Sequence, residues 1–370
     1  MEFIVFIAAL SVAFSNGAND NFKGFATVWG AGLLSYRSAL MLATFATLAG
    51  SLASLLLSQT LVQQFSGKGL VPDVIVSNLS FIASVASAGA ITVFLATRLG
   101  FPVSTTHALL GGLIGSGLFY GFDHVNLTQL LNSFLLPMLV SPILAVLLGI
   151  VLFKLFHFLR LDNKQLNKDC ICGPVFKPIV QVEQTHSLGS NLVQQPNLTS
   201  TMYIDTQENC QNLVTPIHLS ISKSLDRLHI GSAIAICFAR GLNDTPKLVA
   251  LLIAAKMLDQ SHAVVFIAII MGVGGLLFAR KVAQTMSQRI TQIDHASGLV
   301  ANLITASLVL FASKFGLPVS TTHVAVGAIA GVGASSKRID WSALRNVLLS
   351  WVVTLPFAAG IAWLSMWVFL

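Results

Sequence analysis

Long apolar stretches separated by short polar clusters dominate the chain, and they cover 3–35, 38–62, 74–97, 103–122, 129–159, 230–258, 262–279, 296–313, 319–334 and 342–370. A helix needs about 20 predominantly apolar residues to cross the roughly 30 Å hydrocarbon core of a bilayer. The pattern therefore predicts an all-α, polytopic membrane bundle, and because several stretches are long or interrupted the expected count is roughly ten to twelve membrane helices. Between the two groups lies 161–228, which is polar, rich in Asn and Gln, and holds no spanning segment. The expected organisation is a membrane repeat at 1–160, a polar central loop at 161–228 and a second membrane repeat at 229–370.

The two apolar halves share three features in the same order, the mark of an internal duplication. Gly17-Ala18-Asn19-Asp20-Asn21-Phe22-Lys23 recurs as Gly241-Leu242-Asn243-Asp244-Thr245-Pro246-Lys247, a common G-x-N-D-x-x-K. Pro102-Val103-Ser104-Thr105-Thr106-His107 recurs unchanged as Pro318-Val319-Ser320-Thr321-Thr322-His323. Gly111-x-x-x-Gly115 recurs as Gly327-x-x-x-Gly331, a spacing that lets helix backbones approach closely. An odd number of spans per half turns the second half over relative to the first, so the expected architecture is two inverted repeats around a midplane site.

Composition strengthens the membrane reading. The chain is 55% hydrophobic and 9% charged, with mean hydropathy +0.80, against about 25% charged in a soluble domain. The formal charge of +7 does not point to nucleic acid, because Arg98, Arg160, Arg280, Lys281, Lys337 and Arg338 sit at segment ends, where topology signals lie. Arg160, Lys164 and Lys168 place the central loop in the cytoplasm. Met1-Glu2 lacks a basic leader, so the first segment is expected to stay in a multi-pass protein of the bacterial inner membrane. Cys170 and Cys172 have no second pair at zinc spacing; with Cys210 and Cys237 they are expected as free thiols, and no metal or cofactor is assigned.

The repeated motifs carry the candidate chemistry. Proline followed by Ser-Thr-Thr suits a helix start, whose first-turn N–H groups and dipole form an anion site. Ser104, Thr105 and Thr106 with Ser320, Thr321 and Thr322 would clasp one tetrahedral anion from two sides; the plainer alternative is that they only cap helices. His107 and His323 follow directly and either take protons or make structural hydrogen bonds. Ionised side chains in an apolar segment are functional candidates, so Asn19, Asp20 and Lys23 with Asn243, Asp244 and Lys247 form the second set. Each Asp–Lys pair is three residues apart and would neutralise itself on one helical face. Gly17 and Gly241 are expected to let the backbone unwind, and Pro246 to break its helix. Asp20 and Asp244 are also candidate proton or coupling-ion sites.

At these residues the sequence resembles the inorganic phosphate transporter family, sodium- or proton-coupled carriers that include bacterial sulfate permeases. The resemblance covers both halves, through the two N-D elements, the two P-V-S-T-T-H elements, and Ala279-Arg280-Lys281-Val282-Ala283-Gln284-Thr285-Met286 with Asp340-Trp341. It implies a homodimer of inverted-repeat subunits in the lipid bilayer, with phosphate held at Asn19, Asp20, Asn243, Asp244, Ser104 to Thr106 and Ser320 to Thr322, and with sulfate as the rival substrate. Two features depart from the family. Lys23 and Lys247 stand where many members carry a neutral residue, and the glutamates, Glu2, Glu183 and Glu208, all lie away from the middle of predicted spans. Each ammonium is thus expected to replace a bound sodium, which leaves the coupling ion, H+ or Na+, open. No G-x-x-x-x-G-K-[ST] loop is present for an ATP-driven pump. A serine–histidine enzyme fits a duplicated site poorly, and an anion channel would differ from a carrier only in its kinetics.

Overall fold

The structure is a computed structural model that describes residues 1–57, 59–158, 169–172, 203–206, 218–291 and 293–370. Its α-helices are α1 (Glu2–Asp20), α2 (Ala26–Gly30), α3 (Tyr36–Leu57), α4 (Gln59–Phe65), α5 (Asp73–Val76), α6 (Leu79–Leu99), α7 (Thr105–Tyr120), α8 (Leu127–Gln129) and α9 (Leu136–Phe158). They continue with α10 (Ile221–Ala254), α11 (Gln260–Phe278), α12 (Arg280–Gln284), α13 (His295–Lys314), α14 (Thr321–Ser335) and α15 (Trp341–Phe369). Met1–Leu155 and His229–Leu370 form one compact unit, and Phe156–Leu228 forms another. In the second, strands β1 (Asp169–Cys172), β2 (Tyr203–Thr206) and β3 (His218–Ser220) make an antiparallel sheet of order β2-β1-β3, with Ile171 opposite Ile204 and Leu219. This sheet lies within 161–228, whose polar composition predicts only a loop. The side chains of Cys170, Cys172 and Cys210 lie outside the described residues, while Cys237 is a buried free thiol.

Seven helical stretches among the described residues are long and apolar enough to cross a membrane: Glu2–Gly30, Tyr36–Leu57, Leu79–Leu99, Leu127–Phe158, Gln260–Phe278, His295–Lys314 and Trp341–Phe369. Three further helices belong to the same apolar halves. Helices α7 and α14 hold 16 and 15 residues and start at the buried caps Ser104 and Ser320, while α10 carries Arg240, Asp244 and Lys247 inside its apolar stretch. Each half thus contributes five long elements in the same order, the odd count that an inverted repeat requires. Apolar side chains such as Leu139, Ile143 and Leu147 on α9 and Leu349, Val353 and Trp367 on α15 are exposed; in this membrane protein they face hydrocarbon rather than water.

Glycines show how the halves join. A Cβ on Gly17 of α1 would collide with the Met271 carbonyl of α11, and one on Gly241 of α10 with the Thr47 carbonyl of α3. Likewise Gly111 and Gly115 seat α7 against Leu355 and Ala359 of α15, while Gly327 and Gly331 seat α14 against Pro142 and Val146 of α9. Each of these four approaches pairs a helix of one repeat with a helix of the other, and each pairing has its counterpart with the repeats exchanged. The expected unwinding at Gly17 and Gly241 is not found: both are helical, and their missing side chains admit a neighbouring backbone. Pro246 does not break its helix either, since α10 runs through it. The break lies in the first repeat, where α1 ends at Asp20 and a 3-10 turn, Lys23–Phe25, precedes α2. A proline removes one donor and frees one carbonyl, a loss that a helix packed on all sides tolerates.

The apolar core of this unit draws Val5, Ala9 and Val12 of α1, Phe81 and Val85 of α6, Leu109 and Leu113 of α7, and Leu248 and Leu251 of α10 into one cluster. It packs around the polar centre described next.

Candidate functional site

Helices α7 and α14 begin alike. Ser104 and Ser320 take extended backbone at the N-cap, and their hydroxyls accept from the amides of His107 (3.1 Å) and His323 (3.2 Å). The cap satisfies the third amide of each helix, and by helix geometry those of Thr105, Thr106, Thr321 and Thr322 have no intrahelical acceptor. The proline-led segment before each start is held by an asparagine. The Asn19 side-chain amide donates to Thr97 Oγ1 (2.9 Å) and the Phe101 carbonyl (3.0 Å), and its carbonyl accepts from the Val103 amide (3.2 Å). In the second repeat Asn243 donates to the Val319 carbonyl (3.3 Å) and accepts from Ser313 Oγ (3.3 Å).

The lysines cross between the repeats. Lys247 Nζ donates to Asp244 Oδ1 (3.1 Å), the Val319 carbonyl (3.0 Å) and Thr106 Oγ1 (2.8 Å) of the other repeat. Lys23 Nζ donates to Asp20 Oδ1, the Val103 carbonyl (3.0 Å) and Thr322 Oγ1, again across the repeats. The two threonine hydroxyls in turn donate across the same junction, Thr106 to the Val319 carbonyl (3.3 Å) and Thr322 to the Val103 carbonyl (2.8 Å). The Asp–Lys pairs thus do neutralise themselves, but each ammonium is shared between carboxylate, carbonyl and hydroxyl. All of Asn19, Asp20, Lys23, Ser104, Thr105, Thr106 and their counterparts Asn243, Asp244, Lys247, Ser320, Thr321 and Thr322 are buried. One cluster contains them.

His107 and His323 stand apart from the carboxylates. Their rings lie 4.4 Å apart, and His323 packs 3.8 Å from Trp351, whose indole donates to the Pro102 carbonyl (3.0 Å). His107 Nδ1 and His323 Nε2 are buried without a hydrogen-bond partner. They line an apolar cleft of about 570 Å³ with Met138, Pro142, Leu348 and Leu355. The histidines therefore sit in the first turns of α7 and α14, with their rings on this cleft.

Two residues central to the site were missed in the sequence. Asn16 donates to Thr105 Oγ1 (2.9 Å), Asp20 Oδ2 (3.3 Å) and Asp244 Oδ2 (3.5 Å), joining both repeats. Arg240, its counterpart, is 1% exposed, and its Nη2 donates to Asn16 Oδ1 (2.6 Å). The signal was present: Arg240 is a charge set in the apolar run Ile236-Cys237-Phe238-Ala239, and intramembrane ionisable residues are functional candidates. Chemically the cluster offers two helix N-termini, four threonine hydroxyls and three cations against two carboxylates, an arrangement built to receive an anion.

Comparison with known proteins agrees. The model of the phosphate transporter family matches residues 16–362. The inorganic phosphate transporter 2-1, chloroplastic, of Arabidopsis thaliana is 25% identical, over 100% of this chain and 72% of that protein. A Haemophilus influenzae protein named "Putative phosphate permease" is 26% identical over 98% and 95%. A solved structure titled "The sodium-dependent phosphate transporter" superposes with TM-score 0.77 and 24% identity, covering 99% of this chain and 98% of that one. That family is one of transporters rather than enzymes, and with its core of apolar helices meeting at a duplicated polar centre the chain belongs to the phosphate transporter family.

Proposed function

We propose that the chain is a secondary carrier, a symporter that moves inorganic phosphate across the membrane on an ion gradient. Phosphate sits where the N-termini of α7 and α14 meet. The observation that carries this reading is the convergence of those two helix starts with Lys23, Lys247 and Arg240 in one buried cluster. Each helix start brings roughly half a positive charge, and the amides and hydroxyls of Thr105, Thr106, Thr321 and Thr322 supply donors for a tetrahedral oxyanion. Asn19 and Asn243 hold the proline-led segments in place. On anion arrival Thr106 and Thr322, now bonded to the lysines, turn to the phosphate. The names of the relatives favour phosphate over sulfate within the oxyanion class.

The coupling follows from the lysines. Each ammonium occupies a nest of one carboxylate, one carbonyl and one hydroxyl oxygen, the hard-oxygen surroundings that a transported sodium ion takes at unwound helices. A tethered cation there leaves protons, taken up by Asp20 or Asp244, to drive the cycle. His107 and His323 have packing roles. The test is uptake of labelled phosphate by proteoliposomes, with sodium and proton gradients imposed separately and sulfate as competitor. The reading predicts saturable uptake, driven by an inward proton gradient and unchanged by sodium or sulfate. Sodium-dependent uptake would overturn the coupling, and sulfate-sensitive flux without phosphate uptake would overturn the substrate.

A further inference from the structure

Nearly every polar group of the site has a twin: Asn19 and Asn243, Asp20 and Asp244, Lys23 and Lys247, Thr106 and Thr322, even Thr97 and Ser313. One position breaks the pattern. Where the first repeat carries neutral Asn16, the second carries Arg240. The paired residues cancel, Asp20 against Lys23 and Asp244 against Lys247, so Arg240 leaves the buried cluster with one surplus positive charge.

Its surroundings do little to balance that charge. Hydrogen bonds from the guanidinium reach neutral oxygens: Asn16 Oδ1 (2.6 Å), the Asn16 carbonyl (3.4 Å), Asn21 Oδ1 (3.2 Å) and Thr47 Oγ1 (3.4 Å). The nearest carboxylate oxygen to Nε, Asp244 Oδ2, lies 3.6 Å away and is engaged by Asn16, and Nε itself is buried without a hydrogen-bond partner. A buried charge lacking a full counter-charge is unfavourable, and an unused buried donor adds to this. Both deficits end when a negative group arrives beside Asn16, which already touches Thr105 at the start of α7.

We propose that Arg240 is the specificity-determining cation of the site: the transported oxyanion supplies its missing counter-charge, and Nε is the donor held in reserve for that anion. The inference rests on the reading of the cluster as an anion site. It assigns the charge requirement to one residue, whereas the lysines are occupied by their own aspartates. An empty carrier holds the surplus charge, and the bound oxyanion offsets it.

The experiment is equilibrium binding of labelled inorganic phosphate to the purified full-length protein, with thermal unfolding recorded on the same samples. Arg240→Gln is expected to weaken binding roughly tenfold or more, and Arg240→Lys to recover part of that loss. Asn21→Asp decides the matter even if Arg240→Gln fails to fold. Asn21 already accepts from Nη1, and its other neighbours are Thr44 of α3 and Gly275 of α11, so the new carboxylate gives Arg240 a resident partner. It is expected to keep or raise the unfolding temperature while phosphate binding falls roughly tenfold. A purely structural arginine would be helped by Asn21→Asp with phosphate binding unchanged, and that result overturns the proposal. A wild-type protein that binds no phosphate overturns the transport reading itself, and this inference with it.

Discussion

The two repeats present the same side chains from different backbones. In the first, α1 stops at Asp20 and Lys23 opens a 3-10 turn; in the second, Asn243, Asp244 and Lys247 all lie in the unbroken α10, Pro246 included. Even so, Lys23 and Lys247 find the same three kinds of partner. The reason is local: residue i+3 stands over residue i in both a 3-10 turn and an α-helix, so the Asp–Lys pairing survives the change. What the site requires of each repeat is a placement of oxygens and ammonium, and a broken helix is only one way to achieve it. The real asymmetry is electrostatic and lies at Asn16 and Arg240.

The largest expected effect tests that equivalence. Lys247→Met leaves the buried Asp244 with Arg240, at 3.6 Å, as its remaining cation beside the amides of Asn16 and Asn243, and breaking such a pair costs about 3–5 kcal/mol. Lys23→Met is expected to cost at least as much, because among the described residues Asp20 pairs with Lys23 whereas Arg240 pairs with Asp244. Chemical denaturation of the two variants compares them, and both are expected to lose uptake. Next come the close approaches: Gly17→Ala and Gly241→Ala each force a methyl group into an opposing carbonyl, and overpacking of this kind costs about 1–3 kcal/mol. Similar losses from the two would confirm the exchanged packing of the repeats. The caps follow, with Ser104→Ala and Ser320→Ala each expected to cost about 1 kcal/mol and to weaken phosphate binding equally.

The smallest effect separates the second helices of the repeats. Ser35, before α3, accepts from the Ser38 amide (3.2 Å), and Asp259 caps α11 by accepting from the amides of Ser261 (3.1 Å) and His262 (3.3 Å). The hydrogen bond from the His262 ring, helped by that residue's amide, holds the Asp259 carboxyl below its usual range. A depressed carboxyl contributes stability above its unfolded value and loses it as pH falls through the folded one. Ser35 has no charge to lose. Asp259→Ser is therefore expected to trim the acid-induced drop in unfolding temperature slightly, while Ser35→Ala shifts it equally at every pH.

Much of the site was legible because duplication marks it: Ser104 to His107 and Ser320 to His323 are verbatim copies, and repetition of a polar motif inside apolar helices has no packing motive. The Gly111/Gly115 and Gly327/Gly331 spacing likewise announced close helix contact. Arg240 escaped because it has no copy, and a search for shared residues discards the one position where the halves differ. Gly17, Gly241 and Pro246 misled for a different reason. Their local preference for irregular backbone was overridden by tertiary packing, which uses the glycines for contact and encloses the proline in helix. The approaches that join the repeats, Gly17 of α1 on α11 and Gly115 of α7 on α15 among them, depend on long-range fit that no local pattern encodes. The sheet of Asp169–Cys172, Tyr203–Thr206 and His218–Ser220 rests on strands of three or four residues, too short for periodicity to reveal.

The central claim is that two repeats jointly build one anion site, since each lysine of one repeat is held by a threonine of the other. The most direct test is the stoichiometry of labelled phosphate bound at saturation to a known amount of purified protein. One phosphate per chain, lost in both Thr106→Val and Thr322→Val, is the predicted result. Two per chain, each removed by one substitution alone, would show that the repeats bind separately and would contradict the account.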